Sequence, residues 1–137
     1  MLELMLDSNV CIRAMRAGGQ DVLAWLMAHD ETACLSSIVL HELYVGAALS
    51  ARRDHQRAMI GELSAQLAVV DFDTSAADHA AEIRADLQRR GSLIGSNDML
   101  IAGHARCLGL KLITSDLSDF RRVDGLRCED WLNEETP

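Results

Sequence analysis

Three features of this 137-residue chain predict an α/β fold with a mostly parallel central sheet. Short apolar segments suited to strands are separated by longer stretches with helical periodicity. The segments Leu2–Leu6, Ala68–Val70 and Leu112-Ile113 are apolar runs, as expected of parallel strands buried on both faces. Acidic residues also stand just beyond strands or at helix starts, where an open parallel sheet gathers its functional groups.

In chain order, the pattern predicts a strand over 2–6, helices near 9–16 and 20–29, and a strand over 33–36. Helices follow over 38–50 and 54–66, then a strand over 68–72 and helices over 75–90 and 97–108. A strand over 111–114 and a short late strand near 126–129 complete the set. Ser37 is placed to cap the 38–50 helix. Leu40, Leu43, Tyr44 and Ala47 form its apolar stripe, with Glu42 off it. Ala76, Ala80, Ile83 and Leu87 mark one face of the 75–90 helix. Residues 99–108 are apolar nearly all round, which predicts a central, buried helix, and Gly109 suits its C-terminal cap.

Length and composition predict one domain over 1–137, with 49% hydrophobic residues to build its core. No repeat, low-complexity segment or linker divides it. No apolar run approaches the ~20 residues of a membrane span, and the N-terminus lacks a secretory pattern. Cys11, Cys34, Cys107 and Cys128 form no C-x-x-C pair and lie in or beside apolar stretches, so reduced cysteines in a cytoplasmic protein are expected. A net charge of −8 argues against broad adhesion to nucleic acid, though not against a nucleic-acid substrate reached through a metal. The adjacent basic pairs Arg52-Arg53 and Arg89-Arg90 read as solvated helix surface.

The chemistry is carried by acids. Asp7 follows the first strand, Glu42 lies early in a helix, Asp98 opens the most buried helix, and Asp116 follows a later strand with Asp119 three residues on. Each has a structural alternative: Asp7 as a helix cap, Asp98 as a complement to the helix dipole, Asp116 as a turn opener. Together they form a set that would repel itself unless a cation sits between its members. Mg²⁺ or Mn²⁺ suits such hard oxygen ligands. A site of this kind supports hydrolysis of a phosphodiester, since the ion lowers the pKa of water and offsets charge on the phosphate oxygens. Thr114 and Ser115 add hydroxyls that could orient a carboxylate or a water. The five histidines lack metal-type spacing, and no Ser–His–Asp triad, P-loop or zinc site is evident. His41, just before Glu42, reads as structural or surface.

With these residues in place, the chain resembles the PIN-domain ribonucleases, specifically the VapC toxins of bacterial toxin–antitoxin pairs, over essentially its whole length. The resemblance is carried by Met5-Leu6-Asp7-Ser8-Asn9, by the run from Ser36 to Gly46 around Glu42, and by Ile94-Gly95-Ser96-Asn97-Asp98-Met99-Leu100-Ile101-Ala102. Leu112-Ile113-Thr114-Ser115-Asp116 with Phe120-Arg121-Arg122-Val123, and the closing Gly125-Leu126-Arg127-Cys128-Glu129-Asp130-Trp131, complete it. It implies a three-layer α/β/α sandwich and a Mg²⁺- or Mn²⁺-dependent endoribonuclease acting on structured RNA such as tRNA. It also implies a cognate antitoxin, a homodimer, and operator DNA reached only through the antitoxin. Asp7, Glu42, Asp98 and Asp116 are then the catalytic acids and metal ligands, with Asp119 as the alternative last ligand. Asn9, Thr114 and Ser8 support them. Ser8 stands where threonine is common but keeps the hydroxyl, and His41 is an unusual neighbour for Glu42.

Rival readings fit less well. A haloacid-dehalogenase-like phosphatase needs a second Asp two residues after Asp7, where this chain has Asn9. A response-regulator receiver needs a lysine at the end of a late strand, whereas Lys111 begins one. A PIN fold used only for binding RNA or protein would have lost one or more acids, and none is lost.

Overall fold

The computed structural model describes residues 1–131; the last six residues of the predicted domain lie outside the described residues. Twelve elements follow one another: β1 (Leu4–Leu6), α1 (Ser8–Met15), α2 (Gln20–Ala28), β2 (Ala33–Ser36), α3 (Ser37–Ala48) and α4 (Arg53–Gln66). Then come β3 (Ala68–Val70), α5 (Thr74–Arg89), α6 (Ser96–Leu108), β4 (Lys111–Ile113), α7 (Leu117–Phe120) and β5 (Cys128–Glu129). The five strands form one sheet in the order β3-β2-β1-β4-β5, and every described pairing is parallel. The helices flank this sheet as an α/β sandwich. None of the described helices is long and apolar enough to cross a membrane.

The topology places the site. The chain builds outward from β1 through β2 to β3, then returns past β1 to lay down β4 and β5 on the other side. The direction of winding therefore reverses between β1 and β4, and at such a switch point the loops leaving the two strand ends part and open a crevice. The register pairs Leu6 with Ile113, so Asp7 and Thr114 are the first residues past the two central strands, side by side.

Burial explains the central strands. Leu4, Met5, Leu6, Ala33, Cys34, Leu35, Leu112 and Ile113 are all buried, so β1, β2 and β4 have apolar layers on both faces. The expectation that Ala68–Val70 is buried likewise is corrected. Ala68 and Val69 are exposed and Val70 half-buried, because β3 is the sheet's edge. The strands are also shorter than predicted at 2–6, 68–72, 111–114 and 126–129.

The helices match their predicted places to within one or two residues, with corrections of detail. Ser36, not Ser37, caps α3: its Oγ accepts the Ile38 N–H at 3.1 Å. Ser37 Oγ instead accepts the Phe72 N–H at 3.0 Å, tying the loop after β3 to the start of α3. The deeply buried stripe of α3 is Val39, Leu43 and Ala47, with Leu40 and Tyr44 only half-buried. On α5 the buried face is Ala76, Ala80, Ile83 and Leu87, as the spacing predicts. On α6 the run Ile101–Ala105 is wholly buried, and Gly109 ends the helix in the left-handed conformation (φ 68°). Such a φ strains any residue with a Cβ. Helix α7 is not among the predicted elements; a single turn has too short a periodicity to detect, and buried Phe120 anchors it. Cys11 and Cys34 are buried, Cys107 and Cys128 half-buried, and all four are free thiols. Arg52, Arg53, Arg89 and Arg90 lie on exposed helix surface, as predicted.

Candidate active site

Asp7 is the N-cap of α1, and it is only 3% exposed. Its Oδ1 accepts the Ser8 N–H at 2.8 Å, and its Oδ2 accepts the Thr114 hydroxyl at 2.8 Å. Capping and site membership are thus compatible roles. The Thr114 side chain is fully buried and fully used. While donating to Asp7, its Oγ1 accepts the Asp116 N–H at 3.0 Å and the Asn9 Nδ2 at 3.4 Å. One hydroxyl has one proton and two lone pairs, so Thr114 ties the acid after β1 to the acid after β4 with nothing left over. Asn9 completes the link by accepting the Ser115 N–H at 3.4 Å. Asn9 and Thr114, expected to support the acids, are thus both hydrogen-bonded into the link between Asp7 and the loop of Asp116.

Asp98 sits in the first turn of α6, half-buried. One carboxylate oxygen from each of Asp98, Asp116 and Asp119 can be chosen so that all three lie within 4.8 Å of one another. The sequence left Asp116 and Asp119 as alternatives; the fold brings both to Asp98, because Asp116 precedes α7 and Asp119 lies on it. Asp7 and Glu42 flank this trio. Both add to the repulsion felt by Asp98, whose pKa is pushed up to about 6 by burial first and then by Asp7, Glu42, Asp116 and Asp119. Burial likewise raises Asp7, with Asp116 adding to it and the bonds from Thr114 and Ser8 opposing.

Glu42 is raised by burial and by Asp7, while Asn97, Ser8 and His41 favour its charged form. Its Oε1 is nevertheless buried and accepts no hydrogen bond from the described residues. An orphaned carboxylate oxygen is costly unless something positive or a donor meets it. That atom, the oxygen trio and the upward shifts all fit a hard divalent cation between these side chains. His41 is exposed, in line with a surface position.

A family model for the PIN domain matches residues 4–126. The chain belongs to the PIN-domain family. Within it, the chain is 39% identical to the tRNA(fMet)-specific endonuclease VapC of Salmonella typhimurium (strain LT2), covering 96% of this chain and 99% of that one. It is 37% identical to Ribonuclease VapC2 of Haemophilus influenzae (strain Rd), covering 96% of this chain and all of that one. Its fold superposes on that of DNA-bound VapBC from Salmonella typhimurium with a TM-score of 0.91 at 39% identity, covering 96% and 99% of the two chains. VapBC2 from Rickettsia felis, bound to a promoter DNA fragment, gives a TM-score of 0.84 at 30% identity, covering 95% and 99%.

Several contributors to this PIN-domain site were not singled out as site residues in the sequence. Asn97 faces Glu42, Ser118 Oγ donates to Asp116 Oδ1 at 3.3 Å, and Arg122 pairs with Asp119 at 3.4 Å. Gly95 leaves room for Asp98, since a Cβ there would stand 3.0 Å from Oδ2. Position next to an acid was the one available signal for Asn97. Nothing in the sequence marks Arg122 or Ser118 as partners of particular carboxylates.

Proposed function

We propose that this PIN-domain chain is the toxin of a toxin–antitoxin pair. In this reading it is a Mg²⁺- or Mn²⁺-dependent endoribonuclease cleaving structured RNA, with tRNA as the first substrate to test. The observation that carries the reading is the gathering of five acids at the switch point, three of them with oxygens within 4.8 Å of one another. The names of the VapC relatives, a tRNA(fMet)-specific endonuclease and ribonucleases, support an RNA substrate.

Asp98, Asp116 and Asp119 would hold the ion, with Asp7 and Glu42 alongside. When bound, the ion supplies an acidified water and offsets charge on the scissile phosphate. The remaining work falls to the chain itself. Glu42 has a free oxygen and a raised pKa, so it can orient the attacking water and accept its proton. Thr114 and Asn9 hold Asp7 and the loop of Asp116 rigid, which keeps the carboxylates from separating under their own repulsion. Asn97 and Ser8 favour the charged form of Glu42 and so keep it ready as a base.

The VapBC complexes support a cognate antitoxin as partner, and their bound DNA supports operator contact through that antitoxin. A homodimer and a cytoplasmic location belong to the same reading. A groove of about 660 Å³ between α1, α3 and α4 is lined by Ile12, Met15, Leu43 and Met59 together with Arg16 and Arg52. This apolar and basic lining suits an amphipathic, acidic segment of such a partner. Expression alone is expected to arrest the host, and co-expression of the adjacent antitoxin gene to restore growth. Normal growth with abundant folded protein would contradict the toxin assignment.

The enzymatic test is cleavage of purified total tRNA by the antitoxin-free protein, with Mg²⁺ and with EDTA. Discrete fragments only in the presence of metal are expected. Intact tRNA and intact ribosomal RNA in every lane would overturn the nuclease reading.

A further inference from the structure

Glu42 and Asp98 are carried by different helices, and a buried hydrogen bond joins those helices away from the acids. His104, on α6, is 1% exposed, and its Nδ1 lies 2.8 Å from the Oγ of fully buried Ser36. That same Oγ accepts the Ile38 N–H and so caps α3. With the imidazole neutral, the assignment that uses every one of these polar atoms has the Ser36 hydroxyl donating to Nδ1. Burial favours the neutral ring, pushing its pKa below the ordinary value against the opposing pull of Asp73 and Asp71. The Phe72 ring meets the imidazole edge-on at 5.5 Å, and the Phe72 N–H donates to Ser37. The joint therefore gathers the start of α3, the loop after β3 and the middle of α6.

We propose that His104 is a positioning residue: by holding the Ser36 cap, it locks α3 against α6 and sets the separation of Glu42 and Asp98 across the ion site. This rests on the metal-dependent nuclease reading. Ser36 lies six residues before Glu42, and His104 six residues after Asp98, so each acid is under two helical turns from the joint. Apolar packing between α3 and α6 resists separation but is non-directional and tolerates sliding. A buried hydrogen bond to a cap atom is directional, and it fixes both register and rotation of α3. Ligand geometry for a small divalent ion is strict, so a slip of a fraction of an ångström between the two acids would weaken binding. Among the described residues no hydrogen bond joins His104 to Asp7, Glu42, Asp98, Asp116 or Asp119, which distinguishes it from the ligands themselves.

The test is Mn²⁺ affinity, followed by calorimetry and by electron paramagnetic resonance on the whole protein. The variants are His104→Leu, His104→Asn, Ser36→Ala and the Ser36→Ala/His104→Leu double. His104→Leu is expected to bind Mn²⁺ about tenfold more weakly, in the range seen when outer supports of metal ligands are lost. His104→Asn can place an acceptor near the Nδ1 position and is expected to recover binding to within about threefold of wild type. The double variant should lose no more than the worse single variant, because both changes remove one hydrogen bond. Additive losses, failure of Asn to rescue, or wild-type affinity in His104→Leu would overturn the proposal. Should His104→Leu not fold, Ser36→Ala decides: about tenfold weaker binding supports the joint, and unchanged binding overturns it. Absence of Mn²⁺ binding by the wild type would overturn the nuclease reading and this proposal together. Binding by the wild type with undisturbed variants overturns this proposal alone.

Discussion

Asp98→Asn is expected to lower RNA cleavage by about two to three orders of magnitude while making the metal-free protein more stable at neutral pH. The two effects have one cause. Asp98 is surrounded by Asp7, Glu42, Asp116 and Asp119, and its folded-state pKa is pushed up to about 6 from an ordinary value of 3.8. A raised carboxyl pKa means that the folded state prefers the protonated form. Stability from that preference is fully present below the ordinary pKa and is lost as pH rises through about 6. At pH 7.5 the wild type without metal therefore carries an ionised, repelled Asp98, and the neutral amide relieves the repulsion. Allowing for solvent screening of a half-buried group, the gain is about 1 kcal/mol, or a few degrees in Tm.

Thermal melts from pH 4 to 8 check this directly. The variant should exceed wild type above about pH 6, and the difference should close toward pH 4. Mg²⁺ or Mn²⁺ should reverse the order by stabilising the wild type far more than the variant, with affinity falling as pH drops through about 6. A variant that cleaves RNA at the wild-type rate would remove Asp98 from the site.

Gly103→Val should cost about 3 kcal/mol or more and lower Tm by roughly 10 °C or more. Gly103 lets α6 pass close against Ala80 of α5. A Cβ there would stand 2.6 Å from both the Cα and the N of Ala80, and 2.7 Å from its Cβ. Two of these atoms are backbone, so no rotamer change can relieve the clash, and the helices must part. Alanine or valine should improve helix propensity by up to ~1 kcal/mol over glycine, but that gain is smaller than the overpacking cost. Because α6 carries both Asp98 and His104, surviving folded protein should also bind Mn²⁺ more weakly. Denaturant melts of Gly103→Val and Gly103→Ala, run side by side, provide the check. Wild-type stability in the valine variant would show that the two helices are free to move apart.

The sequence alone was sufficient for several features because their signals are local. The apolar runs at 2–6 and 112–113 announce strands buried on both faces, although the first strand begins only at Leu4. The stripe Ala76, Ala80, Ile83, Leu87 announces the inner face of α5, and Gly109 the end of α6. Asp7, Glu42, Asp98 and Asp116 could be singled out as candidates for the same reason, since each stands just past a strand or on a helix that the pattern predicts, whereas Asp119 lies on the unpredicted α7. The motifs around them also pointed to the family that the PIN-domain match establishes.

Other features were decided only by the tertiary structure, because they depend on which strands are neighbours. The exposed flank of β3 follows from its edge position, and nothing in Ala-Val-Val distinguishes an edge strand from a central one. Ser36 rather than Ser37 caps α3 because Ser37 is drawn to the Phe72 N–H, thirty-five residues away. Asp119 joins Asp116 because a single helical turn, anchored by Phe120, carries it back toward Asp98. Thr114 binds Asp7 across 107 positions of sequence because β4 lies beside β1 in register. The sequence by itself determined the residue types of the candidate site and, α7 apart, the elements that carry them. Distances, hydrogen-bond partners and the shared repulsion of the acids came only with the sheet order, since Coulomb forces and hydrogen bonds act through space and ignore separation along the chain.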